Sequence, residues 1–279
     1  MDHARFERVS SRIGDGMDAL FDPSRPHFAT WLRIHDIDED WHQFTPRLGR
    51  SGCTPLYYAA FSGFYDLAKR LIVKYPEQVQ AIGGRMLSPL PAALYREHFR
   101  VADLLHQHGA AVDIRSDLNN TPLHTASMYG LIDVVQWLLN HGADANCRDD
   151  YGWTPLHLAT SNKRLEIIQI LLDHNANVNS LSLFKDTPLS LAANSNGLDA
   201  LRLLLEHGAD ANARGSGKLP PLHVASFEGW VEVARLLLKY GTKVDKKDKK
   251  GRTPFQLASA QGLHEIMKLL SEYGAELEL

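Results

Sequence analysis

The sequence predicts an all-α solenoid assembled from seven copies of one short unit. Three observations lead to this fold class. A Thr-Pro pair or a close variant returns about every 33 residues, two amphipathic helices follow each return, and a short polar loop follows each second helix. In a solenoid each unit buries its apolar face against its neighbours. The 279 residues therefore need no single central core.

The stretch 121–146, TPLHTASMYGLIDVVQWLLNHGADAN, contains one complete unit. Thr121 is suited to the N-cap of a helix, and Pro122 then falls at the first helical position, where its missing N–H costs nothing. Gly130 can take the positive φ that ends this helix. An apolar stripe of helical period follows and ends before Gly142. The unit is predicted to be a helix, a tight turn, a second helix and a hairpin-like loop.

The same unit recurs in a constant register. Successive copies are 34 residues apart once and 33 residues apart five times, and they start at Thr54, Ser88, Thr121, Thr154, Thr187, Pro220 and Thr253. Motifs such as TPLHTA (121–126), TPLHLA (154–159) and PPLHVA (220–225) mark these starts. A 33-residue period with T-P-L-H-x-A is typical of ankyrin repeats. The chain thus resembles the ankyrin-repeat family over residues 51–279.

That resemblance implies an ankyrin-repeat solenoid of helix-turn-helix units joined by β-hairpin-like loops. The predicted repeats cover about 51–83, 84–116, 117–149, 150–182, 183–215, 216–248 and 249–279. Glu97 and Lys163 occupy the turn position that usually holds glycine. Because positive φ strains other residues, we expect a distorted turn or a lengthened first helix at both places. Asn196 is the best substitute for glycine there.

Residues 1–50 lie outside the repeat register and are predicted to form a helical N-terminal cap or linker region. Apolar residues at spacings of three and four predict a helix over about 4–21, and a second helical piece is expected over about 27–35. Terminal repeats expose an apolar edge that needs a cover. Aromatic residues such as Trp31 and Trp41 are suited to provide it.

Part of the N-terminal half also resembles a second group of proteins. The strings FDPSRPHFATWLRIHDIDEDW (21–41), PLYYAAFSGFYDL (55–67) and AIGGR (81–85) are similar to the segment that leads into the ankyrin repeats of fungal NACHT-type receptors. The resemblance implies a sensing array related to a larger signalling protein. The chain departs from that architecture because it lacks a phosphate-binding loop and room for the nucleotidase.

Composition excludes several classes of function. A formal net charge of −3 gives no global attraction to nucleic acid or to an anionic membrane. No apolar run approaches the roughly 20 residues needed to span a bilayer. The two cysteines, Cys53 and Cys147, and a start without the apolar core of a secretion signal indicate a reduced intracellular protein. We expect a monomer in the cytoplasm, with the nucleus as the alternative compartment.

The residues that could bind a metal or a phosphate, or act in catalysis, are better explained by structural roles. His124, His157 and His223 recur at the same motif position, one per repeat, so they do not converge on one metal ion. The ankyrin resemblance implies that each bonds the loop backbone of a neighbouring repeat. GSGK at 215–218 lacks the rest of a phosphate-binding motif. No catalytic constellation has suitable spacing, so no enzyme activity, cofactor or metal site is predicted.

The basic loop Lys246–Arg252 has two interpretations. Lysines there alternate with Asp245 and Asp248 around the last loop. Such a run is usually a solvated face, and the alternative is a site for an acidic partner.

The sequence predicts that function is carried by the surface of the solenoid. Ankyrin proteins bind partners on the concave face, where the first helices and the loop tips align. Aromatic residues are common at the variable positions of this face and are enriched in binding hot spots. We therefore predict a protein-binding interface centred on Tyr95, Met128, Tyr129, Tyr151, Trp153, Phe184 and Phe227.

The predicted function is a non-enzymatic scaffold that holds a protein partner of unknown identity. Two alternatives use the same surface. One is the ligand-sensing part of a NACHT-type receptor, and the other is a substrate-recruiting module for a separate enzyme.

Overall fold

The computed structural model describes residues 54–84, 86–213, 215 and 219–275. The chain divides into two compact units, residues 1–114 and 115–279. Within the described residues the only regular elements are helices, fourteen of them α-helices. The cap predicted for residues 1–50 and most of the GSGK stretch lie outside the described residues.

The first unit contains two pairs of α-helices and one short connecting 3₁₀ helix. These elements are α1 (Pro55–Phe61), α2 (Tyr65–Lys74), the 3₁₀ helix Pro76–Gln80, α3 (Pro89–Tyr95) and α4 (Phe99–Gln107). Helix α1 packs on α3, and α2 packs on α4. The first helix of each pair therefore stacks on the first helix of the next.

The second unit repeats this arrangement five times. Its helices are α5 (Pro122–Tyr129), α6 (Ile132–Asn140), α7 (Pro155–Ser161), α8 (Leu165–Asp173), α9 (Pro188–Asn194), α10 (Leu198–Glu206), α11 (Pro221–Glu228), α12 (Val231–Lys239), α13 (Pro254–Ala260) and α14 (His264–Glu272). The odd-numbered inner helices stack in one layer and the even-numbered outer helices in a second. The predicted all-α ankyrin architecture is confirmed.

Each inner helix starts where the sequence motif places it. A proline occupies the first helical position of every inner helix, directly after the N-cap. At α13 the Thr253 hydroxyl accepts from the Gln256 N–H at 3.2 Å, and the Gln256 side chain accepts from the Thr253 N–H at 3.0 Å. These reciprocal bonds satisfy two helix N–H groups that would otherwise lack partners.

Small residues on the inner helices and leucines on the outer helices form the core. Ala126, Ala159 and Ala225 are essentially inaccessible to solvent, so successive inner helices can approach closely. Leu138 and Leu171, 33 residues apart on α6 and α8, are also fully buried. Replacing such a leucine by alanine typically costs about 2–5 kcal/mol of stability. The 33-residue period is therefore a packing requirement.

The expectation of distorted turns at Glu97 and Lys163 was wrong. Both residues adopt positive φ, 58° and 57°, like Gly130 at 85° in the same repeat position. The preceding helices α3 and α7 have seven residues, the same length as α1. The turn is held by the bonds around it, such as Arg164 N–H to the Ala159 carbonyl at 2.9 Å. Packing of the helix pair thus imposes the turn whatever residue occupies it.

Buried histidines connect successive repeats, as the ankyrin resemblance implied. His157 Nδ1 accepts from the Thr154 N–H at 3.1 Å, which places the ring hydrogen on Nε2. Nε2 then donates to the Asp186 carbonyl at 3.0 Å, 29 residues further on. His124 makes the equivalent bond to the Trp153 carbonyl at 3.1 Å. One imidazole therefore caps its own helix and holds the loop of the next repeat.

Asparagines form a second set of connections between repeats. Asn146 donates to the Asn175 carbonyl at 3.1 Å and accepts from the Asn177 N–H at 2.7 Å. Asn179 makes the corresponding pair of bonds one repeat later, to Gly208 at 3.2 Å and Asp210 at 2.9 Å. The polar loop backbone thus finds its partners in the preceding repeat.

Replacing Glu97 or Lys163 by glycine is expected to stabilise the protein by about 0.5–1 kcal/mol. A left-handed backbone conformation costs a non-glycine residue roughly 1–2 kcal/mol in the folded state. Glycine avoids this cost but stabilises the unfolded state by roughly 0.5–1 kcal/mol through its larger backbone entropy. Denaturant-induced unfolding measures the difference. Gly130→Ala is the reverse control and should destabilise, since its φ is 85°. Glycine variants no more stable than the parent would contradict this explanation of the turns.

Stability is expected to fall as the pH drops below 6.5, and His157 should account for part of the fall. Burial lowers the pKa of His157 below its ordinary value of 6.5, and the bond to the Asp186 carbonyl offsets this only in part. At low pH the unfolded chain therefore binds a proton at His157 that the folded chain does not bind. The free energy of unfolding then falls by up to about 1.4 kcal/mol for each pH unit. Melting temperatures between pH 7.5 and 5.5 should fall less steeply for His157→Gln. Equal slopes for the two proteins would rule out this linkage.

Candidate partner-binding site

The loop tips of the second unit are joined to one another by main-chain hydrogen bonds. The Asp150 N–H donates to the Leu118 carbonyl at 3.1 Å, and the Leu183 N–H donates to the Tyr151 carbonyl at 2.9 Å. The two bonds are one repeat apart and have the same register. Three successive tips, 116–120, 149–153 and 182–186, thus form a continuous row.

Arginine side chains reinforce this row from one side. Arg115 Nη1 donates to the Arg148 carbonyl at 3.0 Å, and Arg148 in turn donates to the Leu181 carbonyl. The guanidinium is planar and offers several donors in fixed directions. It therefore fixes the position of each loop relative to the one before.

Each tip is also held internally by one short polar side chain. Asp149 Oδ1 accepts from the Tyr151 N–H at 2.9 Å and from the Trp153 N–H at 2.8 Å. Ser182 accepts from Phe184 and Asp186 in the same way, at 3.1 and 3.0 Å. These bonds restrain the backbone that carries the exposed aromatic residues. We therefore expect the tips to be ordered before a partner binds.

An open pocket of about 350 Å³ lies between these tips and the inner helices α5 and α7. We name it the aromatic pocket. Its walls are mainly the apolar side chains of Met128, Tyr151, Trp153, Leu158 and Phe184. Polar groups at its border are Asn120, His124, Thr125 and Asp149. A concave apolar site with a few polar groups is the usual form of a binding pocket.

The rings at the mouth of the pocket are exposed. Tyr151 is 50% accessible and Phe184 is 56% accessible, and their rings stack with centroids 6.3 Å apart and planes inclined by 22°. Trp153 is more covered and lies 6.0 Å from the His157 ring. Exposed aromatic pairs next to a pocket are informative because a folded chain normally buries such area.

A family model described as ankyrin repeats (3 copies) matches residues 56–149, 90–182, 141–215 and 189–279, which together run from 56 to 279. The chain belongs to the ankyrin-repeat family. Ankyrin repeats generally mediate protein–protein interaction.

A short stretch of the ankyrin-repeat chain is also similar to a curated protein. It is 35% identical to alpha-latrocrustotoxin-Lt1a of Latrodectus tredecimguttatus over 75 residues. The aligned stretch covers 27% of this chain and 5% of the toxin. Because so little of the toxin is aligned, its activity cannot be transferred to this chain.

Four of the seven predicted interface residues come together in this ankyrin array. Met128, Tyr151, Trp153 and Phe184 line one pocket. The remaining three lie elsewhere. Tyr129 and Phe227 are exposed at the ends of α5 and α11, at 48% and 42%, outside the pocket lining. Tyr95 ends α3 in the first unit and is half-buried.

Some residues of the pocket were not predicted as part of the site. Leu158 follows the motif histidine on α7, and its half-buried side chain contributes to the pocket wall. Thr125 is the equivalent residue on α5, 33 positions earlier. Position five of T-P-L-H-x-A is variable, and that variability is the signal in the sequence that could have identified both residues.

The described residues show no arrangement that would support metal binding or a reactive nucleophile. In 54–84, 86–213, 215 and 219–275 no group of three or more His, Cys, Asp or Glu is placed to hold a metal ion. Cys147 is buried beside Thr121 and His124, with its sulfur 3.4 Å from the Thr121 hydroxyl. In the same part of the chain, no helix is long and apolar enough to cross a membrane.

The tip 248–252 is held by an acidic side chain in the same way as the tip 149–153, but its own side chains are mainly basic. The buried carboxylate of Asp248 accepts from the backbone N–H groups of Lys250 and Arg252 at 2.7 and 2.9 Å. The Arg252 guanidinium also binds it, at 2.9 Å. Burial alone would raise the pKa of Asp248, but these hydrogen bonds outweigh it and leave the pKa below the ordinary 3.8. The tip exposes Lys249 and Lys250.

The similarity to NACHT-type receptors stays a prediction. The string 21–41 on which it mainly depends lies outside the described residues.

Replacing Asp149 by alanine is expected to destabilise the second unit by about 1–2 kcal/mol. The change removes an acceptor shared by two backbone N–H groups, and hydrogen bonds to a charged group contribute roughly 1.5–3 kcal/mol before allowance for partial exposure. Denaturant unfolding provides the measurement. Asp150→Ala is the matched control, because Asp150 is exposed and bonds only the tip residue Asn119 through its side chain. Equal effects of the two substitutions would show that Asp149 does not brace the tip.

Proposed function

We propose that this chain is a non-enzymatic interaction scaffold that binds a segment of a partner protein in the aromatic pocket. The observation that carries the proposal is the exposed Tyr151–Phe184 pair at the mouth of that pocket. Membership of the ankyrin-repeat family supports a role in protein–protein interaction, and the pocket supports this position for the proposed site. Trp153 and Met128 form the walls behind the pair.

The dimensions of the pocket favour one or two apolar side chains of a partner. A volume of about 350 Å³ is at the lower end of ligand pockets. An apolar side chain that leaves water gains roughly 1.5–3 kcal/mol. Insertion would also cover Tyr151 and Phe184, which are half-exposed in the free protein. An inserted anchor of this kind is the usual centre of a protein–protein hot spot.

The pocket is well prepared for binding because its loops are already restrained. Asp149 and Ser182 hold the two tips that carry the aromatic pair. Binding then requires little ordering of the scaffold, and the entropy cost falls mainly on the partner. The sensor and substrate-recruiting alternatives differ in the identity of the partner. Both would use this same surface.

The double substitution Tyr151→Ala/Phe184→Ala is expected to abolish capture of the partner while leaving the fold intact. The two side chains are exposed, so their loss should change the melting temperature little. Lysate from the source organism is passed over the immobilised chain and over the variant, and retained proteins are quantified by mass spectrometry. Proteins retained by the parent but not by the variant would be the partners.

The matched control is Tyr240→Ala/Tyr273→Ala. These tyrosines are 38% and 44% exposed and follow the outer helices α12 and α14, away from the pocket. The control should retain the same proteins as the parent chain. If both double variants retain the parent's full set of proteins, the aromatic pocket is not the binding site.

A further inference from the structure

The described loop tips of the second unit differ in chemical character from one end of the unit to the other. At one end the tip positions hold Leu118, Tyr151 and Phe184, which are 50–56% exposed. These residues are spaced by 33, and the same position holds Lys250 at the last tip. A surface that is apolar at one end and basic at the other selects a partner with the complementary order of residues.

We propose that the partner segment is extended and acidic, with an aromatic or long aliphatic anchor in the aromatic pocket and carboxylates on the basic tip. The basic tip is the loop 248–252, with Lys249 and Lys250 as its exposed cations. This inference rests on the proposed function, since it names the chemistry of the segment that fills the same pocket.

The basic tip is organised to present two cations outward. Arg252 is turned onto the buried Asp248, and Lys246 donates to the Asn212 carbonyl at 2.9 Å. Lys249 and Lys250 lie on the braced turn between them and are exposed. Two adjacent exposed ammonium groups give this tip a positive potential that attracts carboxylates of a partner.

The spacing between the two subsites sets the length of the segment. Helices α7, α9, α11 and α13 stack in succession, and packed helices lie roughly 8–10 Å apart. The pocket at the tip before α7 and the basic tip before α13 are therefore about 25–30 Å apart. Extended chain covers about 3.3 Å per residue, so about eight or nine residues separate the anchor from the carboxylates.

A nucleic acid fits this surface less well than an acidic peptide. Asp117 and Asp150 are exposed beside the apolar end of the row, and they would repel a phosphate backbone that continued past the basic tip. The apolar pocket also requires a side chain with few polar atoms. Protein segments can combine such an anchor with distant carboxylates.

A random library of roughly 16-residue peptides, long enough to reach both subsites, is selected on the full chain. Enriched peptides are expected to carry an aromatic or long aliphatic residue with Asp or Glu about eight or nine positions away. The most enriched peptide is then synthesised with a fluorophore. Its affinity is measured by anisotropy for the parent chain and three variants.

Lys249→Glu/Lys250→Glu is expected to weaken binding roughly tenfold at low salt. Added salt should reduce this difference. Tyr151→Ala/Phe184→Ala should weaken binding at least as much, since it removes the anchor site. The matched charge control is Lys239→Glu/Lys268→Glu, which reverses two exposed lysines on the outer helices α12 and α14. That control should bind like the parent.

The other outcomes separate the two proposals. Selected peptides that need Tyr151 and Phe184 but show no acidic enrichment and no effect of Lys249→Glu/Lys250→Glu would overturn the inference and leave the proposed function standing. Peptides indifferent to Tyr151 and Phe184 would overturn both. If a single-stranded oligonucleotide binds the parent chain more tightly than the peptide and loses affinity in Lys249→Glu/Lys250→Glu, the basic tip is a nucleic-acid site and the inference fails.

Discussion

Hydrogen bonds from side chains of one repeat to the loop backbone of the next are the constraint on which this structure depends. A helix pair can bury its apolar face, but its connecting loop leaves polar backbone groups that must find partners. His124 and His157 each supply a partner 29 residues further along the chain. In the first unit Tyr57 replaces the histidine, and its hydroxyl accepts from the Met86 N–H at 3.4 Å, again 29 residues on. The connection is kept although the residue type changes.

This constraint separates the residues that hold the fold from those available for binding. The motif histidines and the capping threonines are buried, and the exposed asparagines bond the loop of the next repeat, so all three leave little freedom for substitution. At tip positions 118 and 151 the backbone carbonyl accepts the inter-repeat hydrogen bond, so the side chains at 118, 151, 184 and 250 can differ from repeat to repeat. Variation in the tips then changes the partner without changing the scaffold. The stacked residues Tyr151 and Phe184 and the basic Lys250 are three different side chains at equivalent positions of the repeat.

The fold was predictable from sequence because its determinants are local and periodic. Pro122, Gly130 and the spacing of 33 residues fix where helices begin and end, and the structure confirms them. The turns at Glu97 and Lys163 were not predictable from local preference, because packing of the helix pair imposes positive φ on unsuitable residues. The pocket was predictable only in part. Met128, Tyr151, Trp153 and Phe184 are apolar residues at variable positions of the repeat, whereas the place of Leu158 in the pocket wall depends on which repeats come into contact.

We infer that bonds between repeats hold the loop tips in place before a partner binds. Amide hydrogen exchange of the free chain, resolved by residue, tests it most directly. We expect slow exchange at Asp150 and Leu183, whose N–H groups donate to the preceding tips, and at Tyr151 and Trp153, whose N–H groups donate to Asp149. Their protection should approach that of the inner helices. Exchange at the rate of an unstructured peptide at these four amides would contradict it and would mean that the aromatic pocket forms only with its partner.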